Sequence, residues 1–87
     1  MKLGFIGFGE AGFELSKGLT QAGLADIIAY DPMAGDSRFA GLLHNRAREA
    51  GVTLVSSPAA VVGNVNVIVA SVPGSQALSV ALAAVAL

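Results

Sequence analysis

The chain has 87 residues, 54% of them hydrophobic and 13% charged, with a net charge of −1 and no cysteine. That length admits one domain or part of one, the charge leaves no basic patch for nucleic acid, and the missing cysteine excludes a disulfide framework and a thiolate metal site. Every charged side chain and the single histidine fall between Lys2 and Glu49, so the uncharged remainder is expected to pack against protein outside this segment. With no secretory signal, the cytoplasm is the expected location.

Lys2 to Gly7 (KLGFIG) is a short apolar run closed by glycine and predicts a buried parallel strand. From Glu10 to Ala22 the spacing turns helical, with Ala11, Leu15, Leu19 and Ala22 on the apolar face and Glu14, Lys17 and Gln21 on the other. Gly23 is placed to close that helix in a left-handed conformation. Asp26 to Asp31 (DIIAYD) predicts a second strand, stopped by Pro32, which cannot continue a ladder. A loop then leads to a helix from about Ser37 to Ala50, with Asp36 or Ser37 as its N-cap and Gly51 past its end.

Val52 to Val55 predicts a third strand. Ser57 caps one or two helical turns, with Pro58 at the first helical position, and Asn66 to Ser71 predicts a fourth strand. From Ser75 a last helix is expected to run to Leu87, where it stops without a capping residue or a basic final turn, as a truncation would. The apolar stretch from Val67 is long enough to suggest a membrane span, but Pro73, Gly74, Ser75 and Gln76 interrupt it. What remains is too short for a hydrocarbon core of ~30 Å.

This alternation predicts an α/β, Rossmann-type, doubly wound parallel sheet with right-handed crossovers and strand order 3-2-1-4, incomplete at its C-terminal end. Residues 1–87 would form the N-terminal part of a dinucleotide-binding domain, with later strands and a helical substrate domain absent. Its ligand crevice would open above the ends of the first and fourth strands.

Within that frame Gly7-Phe8-Gly9-Glu10-Ala11-Gly12 follows a strand and opens a helix, the context a dinucleotide fingerprint requires. Gly7 permits the tight turn, Gly9 lets a pyrophosphate approach the backbone, and Gly12 lets the helix lie close to the sheet. The free N–H groups and dipole of the helix start attract the phosphates. Asp31 stands 19 positions after Gly12 at the tip of the second strand, flanked by Tyr30 and Pro32. A carboxylate there accepts from both hydroxyls of the adenosine ribose and repels a 2′-phosphate, which favours NAD over NADP. Arg38 could reach back toward such a phosphate, although its place at a helix start reads better as that of a solvated residue. Ser71, Val72 and Pro73 should face the glycine loop across the crevice, toward the middle or nicotinamide side of the cofactor. His44, Glu10, Glu14 and Ser16 form no pattern with a base, nucleophile or metal.

"MKLGFIGFGEAG", then "AYDP", then "ASVPGSQA" resembles the N-terminal cofactor domain of the β-hydroxyacid dehydrogenases, the superfamily that includes 6-phosphogluconate dehydrogenase. The resemblance spans the chain and is strongest in the glycine loop. It implies an NAD(P)-dependent oxidoreductase acting on a small or phosphorylated hydroxy acid, with NAD the expected cofactor. Gly7 to Gly12 would bind the pyrophosphate, Asp31 the ribose, and Val72 and Pro73 the far half. The family's catalytic Lys and Asn lie beyond the region matched, so no catalytic residue is expected here, and a homo-oligomer would assemble through that further part. Pyrroline-carboxylate reductases begin with a similar glycine loop, but the Tyr30-Asp31 pair leans away from their NADP-preferring members. A non-catalytic NAD(H)-sensing module is the alternative, and S-adenosylmethionine binding on the same fold a third reading.

Overall fold

A computed structural model describes the protein over residues 2–23, 26–71 and 78–82. Its elements are β1 (Lys2–Ile6), α1 (Glu10–Gln21), β2 (Asp26–Tyr30), a 3-10 turn (Pro32–Gly35), α2 (Ala40–Ala50), β3 (Val52–Leu54), α3 (Pro58–Val62), β4 (Val67–Ser71) and β5 (Leu78–Leu82). The sheet runs β3-β2-β1-β4-β5. Its first four strands are parallel in the expected 3-2-1-4 order, and β5 pairs antiparallel with β4.

The helix expected from Ser75 is therefore a strand over Leu78–Leu82. A short uncharged run of Leu, Ser, Val and Ala reads equally as strand or buried helix. The edge of β4 decides between them, because its N–H and C=O groups need partners. Ser71 pairs with Leu78 and Val67 with Leu82. The rest of that expected helix lies outside the described residues.

Alternation along β1 places the helices. Phe5 faces α1: a methyl on Gly12 would meet its ring at 3.2 Å, so glycine lets α1 settle this close without displacing the ring. Gly4 points to the opposite face, where a Cβ would collide with Val61 of α3. The two helices therefore cover opposite sides of the sheet, as right-handed crossovers of a doubly wound fold demand. Between the sheet and α2 lies the main core, with Leu3, Phe5, Ile27, Ala29, Val52 and Val69 packed with Leu43, Ala47 and Ala50.

Two local expectations are corrected. In α1 the fully covered positions are Gly12 and Ser16, whereas Leu15 stays 38% exposed. The apolar stripe is thus rotated by one residue from the expected one, because the glycine that seats the helix fixes which side meets the sheet. Ser16 pays for that seat: its hydroxyl is buried without a hydrogen-bond partner among the described residues. Second, α2 begins at Ala40 behind Phe39 rather than at Ser37. Asp36 does not cap it, because its carboxylate is committed to Arg38. Other punctuation holds: the Ser57 hydroxyl accepts from the Ala60 N–H at 3.2 Å, and Gly23 and Gly51 are left-handed at φ 68° and 73°. Among the described residues no helix is long and apolar enough to cross a membrane.

Candidate dinucleotide site

The register of the sheet assembles the site. Ile6 is level with Tyr30 on one side and Ala70 on the other. The residues that follow, Gly7, Asp31 and Ser71, therefore share the carboxyl edge of the sheet, where open α/β folds bind their ligands.

Gly7 turns the chain out of β1 with φ 87°, a conformation that disfavours any side chain. Its N–H donates to the Tyr30 carbonyl at 2.7 Å, which ties the turn to the end of β2. Phe8 anchors the loop from beneath. Its ring is fully buried and meets Phe5 edge-on, with centroids 6.0 Å apart at 71°. Of Phe8, then, the main chain is left for the loop's upper surface.

Gly9 caps α1 in an extended conformation, φ −83° and ψ −165°, with no side-chain hydrogen bond to the helix end. The first N–H to find a partner inside the helix is that of Phe13, which donates to the Gly9 carbonyl at 2.9 Å. The N–H groups before it, through Glu10, Ala11 and Gly12, are the orphan donors of a helix start. Among the described residues a Cβ built on Gly9 meets nothing within 4 Å, chain neighbours apart, so there is room beside Gly9 at the helix start. Of the other helical starts, Ser57 closes α3 and Asp31 closes the 3-10 turn, while α2, behind Phe39, also lacks a side-chain cap. An uncapped helix end, glycine-lined and opening on the edge of the sheet, has the chemistry of a phosphate cradle.

Asp31 joins the cradle to β2. One carboxylate oxygen, Oδ2, accepts from the Phe8 N–H at 2.8 Å, and Oδ1 accepts from the Met33 N–H at 2.8 Å. These two bonds fix the carboxylate beside the glycine loop and leave half of its roughly four acceptor sites open. A ribose diol needs two of them, so the residues present fit the adenosine end of a dinucleotide. Pro32 starts the 3-10 turn, its missing N–H costing nothing at that position. The bond from Phe8 to Asp31 was not anticipated, although Asp-Pro at a turn start is the signal for the other bond, to Met33.

Arg38 does not extend freely toward this end. Its Nε and Nη2 donate to Asp36 Oδ1 and Oδ2 at 3.1 and 2.8 Å. The side-chain bonds between them hold Asp36 below the ordinary carboxylate pKa and raise Arg38 above its ordinary value. Ser71 closes β4 at the level of the site, while Val72 and Pro73 lie outside the described residues. His44 is exposed on α2. A concavity of about 640 Å³ lies at the other end of the sheet, between Lys2, Asp26 and Asn64, and includes no residue of the glycine loop.

A family model described as NADP oxidoreductase, coenzyme F420-dependent, matches residues 2–86. The chain belongs to that family. The match marks it as an NAD(P)-binding domain of an oxidoreductase family. A comparison with curated proteins found no match. Among solved structures, a conserved hypothetical protein from Sinorhizobium meliloti 1021 is 34% identical, with a TM-score of 0.77 over 85% of this chain and 24% of that one. The chain therefore spans about a quarter of that relative's length. The family match supports the oxidoreductase reading; it does not carry the narrower grouping with the β-hydroxyacid dehydrogenases.

Proposed function

We propose that this chain is the part of a hydride-transferring oxidoreductase that grips the nicotinamide dinucleotide. The pyrophosphate rests on the N–H groups of Gly9, Glu10, Ala11 and Gly12, aided by the helix dipole. The adenosine ribose hydroxyls donate to Asp31, and the nicotinamide half extends past Ser71 toward Val72 and Pro73. Once bound, the cofactor supplies the hydride chemistry. The chain's own share is position: Gly7 and Phe8 set the loop's height above the sheet, and Asp31 fixes the ribose against that loop.

The observation that carries this reading is Asp31, whose carboxylate is already bonded to the glycine loop and still has acceptor capacity. NAD is the preferred cofactor on these grounds, since a 2′-phosphate would meet the same carboxylate; the family's description leans instead to NADP. The hydride's other partner is proposed to be a small hydroxy acid, by the sequence resemblance, held by protein outside this segment. The family description supports a second reading in which coenzyme F420 takes that place.

Titration with NADH and then NADPH, followed by the reduced nicotinamide's fluorescence, tests the grip. Saturable enhancement, stronger with NADH, is the expected result. A folded sample that shows none with either nucleotide overturns the proposal. Turnover of a hydroxy acid with NAD, against reduction of coenzyme F420 with NADPH, then separates the two partners.

A further inference from the structure

The 3-10 turn after β2 carries an acid at each end. Asp31 caps its start, and Asp36 follows its last residue, with the Asp36 N–H donating to the Met33 carbonyl at 3.0 Å. Five steps at about 2 Å each set the two acids on the order of 10 Å apart along the turn. Asp31, the proposed ribose acceptor, and Asp36 thus stand at the two ends of one short turn.

Arg38 is the sole basic residue between Asp26 and His44. Asp36 grips it at three points, its Oδ1 accepting from both the Arg38 main-chain N–H (2.9 Å) and Nε (3.1 Å), and its Oδ2 from Nη2 (2.8 Å). The guanidinium also lies over the Phe39 ring, 5.3 Å from its centroid. A planar fork of this kind matches a phosphate as well as it matches a carboxylate. The Arg38 side chain is nevertheless 77% exposed, so water reaches the pair and another anion can compete for it.

We propose that Asp36 is a specificity-determining residue: by engaging Arg38 it withholds from a ribose 2′-phosphate the cation nearest in sequence to Asp31, and so sets the domain against NADP. This inference rests on the dinucleotide reading of the site. It assigns the choice of cofactor to two carboxylates, with Asp31 acting by direct repulsion and Asp36 by occupying the guanidinium. On this proposal, a chain with an arginine on this loop would still disfavour the phosphorylated cofactor.

Asp36→Asn tests it in the full chain. The amide oxygen still accepts from the Arg38 N–H, so the turn is kept, while the charged grip on the guanidinium is lost. NADPH is expected to bind about fivefold more tightly, the order of an exposed ion pair, with NADH affinity unchanged. The gain should vanish in Asp36→Asn with Arg38→Ala, and should fade at high salt. NADH binding like wild type with NADPH affinity unmoved sinks the proposal alone. So does wild-type NADPH binding that already depends on Arg38, since Asp36 would then withhold nothing. Failure of the wild-type protein to bind either nucleotide removes the dinucleotide reading, and this inference with it.

Discussion

Asp31→Ala is expected to weaken NADH binding by at least about 100-fold, because hydrogen bonds to a charged group contribute roughly 1.5–3 kcal/mol each and two ribose hydroxyls lose their acceptor. The loss has a second source. The same carboxylate holds the Phe8 and Met33 N–H groups, both at 2.8 Å, so its removal also slackens the glycine loop and the 3-10 turn. NADPH binding should fall by less, since relief of the repulsion between Asp31 and the 2′-phosphate offsets part of the damage. Parallel fluorescence titrations of the two nucleotides measure the difference. An NADH affinity unchanged by the substitution would show that Asp31 is a turn residue and nothing more.

Phe8→Ala should destabilise the fold by about 3–5 kcal/mol, the usual cost of emptying a fully buried phenylalanine site. Set against the 5–15 kcal/mol that typically holds a whole domain together, that is enough to unfold a marginal one. The ring is wholly buried against Phe5 beneath the loop, and the carbons of both rings surround the place where Gly12 brings α1 to the sheet. Denaturant unfolding of the variant measures the loss, and a cost under about 1 kcal/mol would mean that the loop does not depend on this anchor. Phe8→Leu separates packing from ligand contact. It should keep most of the stability and most of the NADH affinity, because the cofactor is proposed to meet main chain at this position rather than the ring.

Much of the fold was legible because its elements carry local signals that agree with the global plan. Gly7, Gly12 and Gly51 stand where the backbone needs them, and Ser57-Pro58 announces α3 as clearly as any cap can. The parallel strands are apolar and β-branched, as strands covered on both faces must be. The last segment escaped because its character is set by a neighbour: Leu78–Leu82 becomes a strand by pairing along β4, and nothing in its own spacing chooses that over a helix. The buried side of α1 escaped for a related reason. Hydrophobic periodicity pointed to Leu15, but close approach at Gly12 turns Ser16 inward instead.

The site divides in the same way. The glycine spacing and Asp31 are visible in the chain because backbone freedom and charge are properties of single residues. The bond from the Phe8 N–H to Asp31 joins positions 23 residues apart and exists only once β1 and β2 lie side by side. The Asp36–Arg38 pair is close in sequence, yet its three-point grip depends on the turn that follows the 3-10 segment. Gly4 belongs with these. Within β1 it looks like a weak strand residue, and only the approach of Val61 explains why a side chain has no room there.

The most direct measurement is an NADH titration of Gly9→Val beside the wild-type protein, paired with denaturant unfolding of both. Gly9 has an extended backbone, and among the described residues nothing beyond its chain neighbours lies within 4 Å of a built Cβ, so these residues leave room for valine. The change should cost no more than about 1 kcal/mol at a helix N-cap. If the open space in front of α1 is where the pyrophosphate sits, the variant stays folded and its NADH affinity falls at least about tenfold, the two methyl groups standing in the phosphate's place. Equal stability with equal NADH affinity would contradict that placement, and would leave Gly7 to Gly12 as a turn between a strand and a helix.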